Sequence, residues 1–143
     1  MRVWTLPEAN AAVPKVREMV EEGRATLSML RDVEAQVDDI LIVYGDGVHD
    51  PKHPAHAEAE KYAKRREELL DEMVALNLRF QALGCDVKDL DQGLVDFRSR
   101  IGTEYVYLCW KHGETSITFW HGLQGGFANR QPIPGGEIGS SLR

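Results

Sequence analysis

The sequence predicts an α+β fold: a long antiparallel helical hairpin followed by a small antiparallel β-sheet of three to four strands. Three observations predict it. Apolar residues recur at steps of mostly three, four and seven from Val13 to Leu41, and a second stripe runs from Ala59 to Leu83. Gly84 then stands where a helix should end. Beyond it the pattern changes to strand-like alternation, and seven of the eleven aromatic residues fall in residues 84–133.

Residues 2–4 read as a short strand. Thr5-Leu6-Pro7-Glu8 starts the first helix. Thr5 caps, Glu8 closes a capping box, and Pro7 lies in the first turn, where its missing N–H costs little. Pro14 predicts a kink or a restart. The stripe Val13, Val16, Met19/Val20, Leu27, Leu30, Val33, Val37, Ile40/Leu41 carries the helix to about Val43, a length of about 45 Å at 1.5 Å per residue. Residues 44–56 are rich in Gly, Pro and Asp and predict a loop. The second helix is predicted from about Ala55 to Leu83. Two helices cannot enclose stripes of this length, and a small sheet covers only one end. A homodimer through the helical hairpin is therefore expected. The chain is read as one domain over 1–143: strand and hairpin over 1–83, a β-meander over 84–133, and a flexible tail over 134–143.

Within the meander, Leu94–Arg98, Tyr105–Lys111 and Ser116–His121 alternate as strands, and Val87-Lys88 forms a further short one. Turns centred on Ile101-Gly102 and Gly113-Glu114 set a register. In that register Val95, Phe97, Val106, Leu108, Phe119 and His121 share one apolar face. The other face carries Asp96, Arg98, Tyr105, Tyr107, Cys109 and Trp120. An acid, a base and three aromatics on one face have the composition of a recognition surface. The competing reading is that residues 127–133 fold back over this face and make Trp120 ordinary core.

Composition bounds the function. The 143 residues are 43% apolar and 28% charged, ordinary for a soluble domain. The net charge of −6 lies mostly in residues 1–83 and argues against nucleic acid as a partner. No apolar run reaches the roughly 18–20 residues of a membrane span. Two cysteines without a Cys-x-x-Cys, and no secretory leader, predict a cytoplasmic protein.

Asp89 and Asp91 lack the further oxygen ligands of a calcium loop and read as a turn with Gly93 at positive φ. Cys109 with His121 or His112 suggests a thiol and its base, but the expected register puts the histidines on the opposite face. His121 reads as a structural histidine or a proton-transfer group. His49, Asp50, His53 and His56 have the donors for Zn or Ni but match no defined spacing. No metal ligand is assigned and the cofactor is left unknown. No phosphate loop or nucleophile motif is present.

The stretches VKDLDQGLVDF, YVYLCWKHGE and FWHGLQGGFANRQPI, with TLPEANAAVPKVR near the start, resemble the bacterial domain-of-unknown-function family 2203. The resemblance implies a bacterial origin and a shared fold. It carries no established activity.

The resulting expectation is a dimeric binding or interaction module for a protein or a small polar ligand. Its candidate surface is Lys88, Asp96, Arg98, Tyr105, Tyr107, Trp120, His121 and Arg130. The alternative is a small-metabolite enzyme with Asp96 or His121 as acid/base. A carboxylate of raised pKa in a deep pocket would favour that alternative. A third reading is a metal-binding protein using the His49–His56 loop.

Overall fold

The computed structural model describes residues 2–134; the expected tail over 134–143 falls almost wholly outside them. Helix α1 (Leu6–Tyr44) and helix α2 (His56–Leu83) precede five strands: β1 (Asp86–Asp89), β2 (Leu94–Ile101), β3 (Glu104–Lys111), β4 (Phe119–Gly122) and β5 (Gln131–Pro132). The strands form one antiparallel sheet in sequence order. The α+β class is as expected, with one strand more than the three to four anticipated.

The capping box at the start of α1 is formed in both directions. The Thr5 N–H donates to Glu8 Oε1 at 3.0 Å, and the Glu8 N–H donates to Thr5 Oγ1 at 3.2 Å. Hydrogen bonds from the Thr5 side chain and from its N–H hold the Glu8 carboxyl below its ordinary value. A carboxyl lowered on folding stabilises above its unfolded value and loses that contribution as pH falls through the folded one. Thr5→Ala should cost about 1 kcal/mol at pH 7, the usual worth of an N-cap side chain. Urea titrations should find that difference shrinking below pH 4.5, and an equal cost at pH 7 and pH 3 would contradict the capping account.

Pro14 does not restart the helix: α1 runs through it from Leu6 to Tyr44. Val13 and Val16, on either side, are 1% and 0% exposed, and this burial compensates for the missing N–H bond. Residues 2–4 are not a strand, although the Trp4 N–H donates to the Arg98 carbonyl at 2.7 Å.

Two compact units are distinguished. The first comprises residues up to Glu22 and from Asn77 onward. Its core joins Val13, Val16, Met19 and Val20 of α1 with Val95, Phe97, Leu108 and Trp110 of the sheet. Trp4 packs edge-on against Phe97 at 5.1 Å and donates from Nε1 to the Gly84 carbonyl. Gly84 has φ +94° and its N–H donates to Phe80 O, which ends α2 as the sequence predicts. Asp89 accepts from the Gln92 N–H, and Gly93 has φ +68°, so the Asp89–Gly93 segment is the expected turn.

The second unit, Gly23–Leu76, holds the paired ends of the two helices and their connection. Ile40, Val48 and Ala55 form its core, with Leu41, Ala59 and Tyr62 against them. Glu34 of α1 pairs with Arg66 of α2 at 3.8 Å. The connection is not wholly irregular: Gly45–His49 form a 3-10 turn. His53 Nδ1 accepts from the Ala55 N–H, and His56 Nδ1 donates to the Val48 carbonyl. These two imidazoles are thus committed to tying the loop.

Candidate functional site

The register of the sheet decides which side chains meet. Between β2 and β3, Asp96 faces Cys109, Arg98 faces Tyr107 and Arg100 faces Tyr105. The expected register is displaced here by two residues, because Ile101 pairs with Glu104 and the turn moves to Gly102-Thr103. A two-residue displacement keeps every side chain on its face.

Between β3 and β4 the displacement is one residue, and it reverses the expected assignment. Tyr107 faces His121, Leu108 faces Trp120 and Cys109 faces Phe119. His121 therefore joins Asp96, Arg98, Tyr107 and Cys109, whereas Trp120 moves to the Phe97–Leu108 face. The cause lies in residues 112–118, which do not form the tight hairpin expected at Gly113-Glu114. Glu114 Oε1 accepts the Lys111 N–H at 2.7 Å, and the Glu114 carbonyl accepts Trp110 Nε1. Asn10 Oδ1 of α1 accepts the Ile117 N–H at 2.7 Å. These bonds take Ser116–Thr118 off the ladder, so β4 begins at Phe119.

At the centre of the resulting face, His121 Nε2 lies 3.0 Å from Asp96 Oδ2. Both residues are buried, at 3% and 2% exposure. His121 Nδ1 is 2.7 Å from the Gly122 carbonyl. A carbonyl only accepts, so Nδ1 carries a hydrogen. Nε2 then either receives a proton from the Asp96 carboxyl or donates one to its carboxylate. One proton is shared in both arrangements.

Burial pushes the Asp96 carboxyl above its ordinary value, against the pull of His121, Lys88 and Cys109. Burial also pushes the Cys109 thiol up to about 12, with the Asp96 charge adding to the shift and Arg130 opposing it. A thiol so placed is a poor free nucleophile. Cys85, buried elsewhere, is likewise pushed up to about 12.

A cavity of about 430 Å³ opens over this pair. Asp96, Cys109 and His121 contribute to it, with Tyr107 and Lys88 beside them and Gly125, Gly126 and Phe127 opposite. Lys88 Nζ stands 4.9 Å from the Tyr107 ring centroid. Residues 127–133 do fold back, but as the wall and edge of the site. Phe127 lines the cavity, and β5 pairs with β4. Arg130 stacks 3.9 Å over Phe119 and pairs with Glu114 at 3.1 Å.

The candidate residues thus separate. Lys88, Asp96, Tyr107 and His121 meet at the cavity. Arg98 borders them, donating to the Tyr107 hydroxyl at 3.2 Å. Arg130 acts on Cys109 from the β5 side. Tyr105 is 40% exposed, and Trp120 lies on the other face. Cys109 is the residue that sequence reasoning set aside. Strand parity alone could not place it with His121, because the contact that sets the parity spans 107 positions, from Asn10 to Ile117. Among the described residues, Asp96, Cys109 and His121 each place one donor atom within 4.8 Å of the others.

No curated protein and no solved structure matches the chain. The family described as "Uncharacterized conserved protein (DUF2203)" matches residues 2–133, a span that includes every residue of the cavity, so the chain belongs to that family.

Proposed function

We propose that the protein binds a small organic anion in the sheet-face cavity. The observation that carries this reading is the buried Asp96–His121 pair at the floor of a cavity of about 430 Å³. The volume falls in the range of small-molecule sites, which combine apolar walls with a few convergent polar groups. Leu94, Tyr107, Leu123 and Phe127 supply the walls. Lys88 supplies a cation, and the Asp96–His121 pair offers a hydrogen bond whose proton either partner can hold. A buried carboxyl raised by its surroundings is characteristic of functional sites.

The test uses short-chain mono- and dicarboxylates added to isotope-labelled, chelator-treated protein. Amide shifts should cluster at Lys88, Cys109, His121 and Gly125–Phe127 and should weaken at least tenfold in affinity in Lys88→Ala. Shifts absent, or confined to other surfaces, would overturn the reading. Acid–base chemistry on the same ligand is a second reading, favoured by the raised Asp96 carboxyl. Both His121 nitrogens are engaged, so a proton would pass to ligand through Asp96.

The helical hairpin is proposed to pair with a second copy. Met29, Ile42, Val43 and Val74 of the second unit are all more than 40% exposed, which leaves apolar surface for a partner helix pair. Sedimentation equilibrium should give a dimer at micromolar concentration, and a monomer there would remove this proposal. A reducing, cytoplasmic setting fits the two free cysteines. No described helix is long and apolar enough to cross a membrane.

A further inference from the structure

We propose that Asp96, Cys109 and His121 form a three-ligand site for a divalent transition-metal ion of the zinc type, with its fourth position facing the sheet-face cavity. The inference rests on the preceding reading in one respect: the cavity must be a binding site. It adds an ion that would strengthen a hold that Lys88 and the Asp96–His121 pair already supply.

The donor set carries the argument. A thiolate sulfur, an imidazole nitrogen and a carboxylate oxygen are the three ligand types that zinc takes, and three protein ligands with one open position describe a catalytic-type site. They come from three adjacent strands: Asp96 from β2, Cys109 from β3 and His121 from β4. Their donor atoms lie within 4.8 Å of one another. Zinc–ligand bonds of about 2.0–2.3 Å in tetrahedral geometry place donors roughly 3.3–3.8 Å apart. The Asp96–His121 separation of 3.0 Å is slightly shorter, so an ion that displaces two protons to solvent, the shared one and that of the Cys109 thiol, spreads that pair by a few tenths of an ångström while sulfur moves inward.

A second observation concerns the histidine. Its Nδ1–H donates to the Gly122 carbonyl, which fixes the ring so that Nε2 is the nitrogen left for a metal. This outer hydrogen bond is what metal-ligating histidines usually make. All three side chains are at most 3% exposed, and the cavity supplies the way in. Lys88 and Arg130 act on Asp96 and Cys109 respectively. Both weaken the hold on a bare ion; Arg130 is already paired with Glu114, so Lys88, at the cavity wall, is the cation that would balance an organic anion in the fourth position.

The experiment is a Co²⁺ titration of chelator-treated, reduced protein. Wild type and Cys85→Ser should each bind one equivalent, with a thiolate-to-cobalt charge-transfer band and visible bands of tetrahedral intensity. Cys109→Ser should lose the charge-transfer band, and Zn²⁺ should abolish the spectrum of wild type by displacement. Absence of the band in wild type, its survival in Cys109→Ser, or its loss in folded Cys85→Ser would overturn the proposal. Should Cys109→Ser fail to fold, Cys85→Ser still decides the matter, because Cys109 is then the one thiol in the chain. The carboxylate shifts are measured without metal. Carboxylate binding with no cobalt spectrum therefore overturns the metal site alone, and a cobalt spectrum with no carboxylate binding overturns the organic-ligand reading alone.

Discussion

Replacing His121 with alanine is expected to destabilise the protein by about 2–4 kcal/mol, far more than a surface histidine would. The imidazole is buried and its Nε2 is 3.0 Å from Asp96 Oδ2. Its removal leaves a buried carboxyl without its nearest partner, and breaking such a pair from one side is strongly destabilising. Asp96 can relieve part of the cost by taking up a proton, since burial already favours its neutral form. Adding Asp96→Asn to His121→Ala should then cost less than the two single changes together, with a coupling of about 1–3 kcal/mol. Urea unfolding of the four proteins measures it. Additive effects within about 0.5 kcal/mol would mean the two side chains do not act as a pair.

Gly93→Ala should be damaging by about 3 kcal/mol, for a different reason. Gly93 has φ +68°, where an L side chain costs roughly 1–2 kcal/mol. A Cβ there would also run into His112 Cβ and come within 3.3 Å of Val20 Cγ1. Overpacking of that kind typically adds about 1–3 kcal/mol. Gly102→Ala is the control: φ is +59° but nothing lies within 4 Å of the added carbon. Thermal unfolding should rank Gly93→Ala well below Gly102→Ala, and equal losses would show that close packing contributes nothing at Gly93.

The helices were legible because stripes, the Thr5–Glu8 capping box and Gly84 are local signals. The restart expected at Pro14 does not occur, because tertiary burial of Val13 and Val16 carries α1 past a locally unfavourable residue. The β2–β3 faces were legible despite a displaced turn, since a shift of two preserves alternation. The β3–β4 pairing was not, because it depends on the Glu114 bonds to Lys111 and Trp110 and on Asn10 reaching Ile117. Asp96, Arg98, Tyr107 and Cys109 were correctly grouped in sequence, and that single step put His121 on the opposite face from them. It also exchanged Trp120 for His121 on the candidate face.

The site therefore stands on the register of β4 against β3, and nuclear Overhauser contacts across these strands measure it directly. Cross-strand contacts of Tyr107 with His121 and of Cys109 with Phe119 are the expected result. Contacts pairing Val106 with His121 and Leu108 with Phe119 would return His121 to the other face, part it from Asp96 and Cys109, and contradict the account.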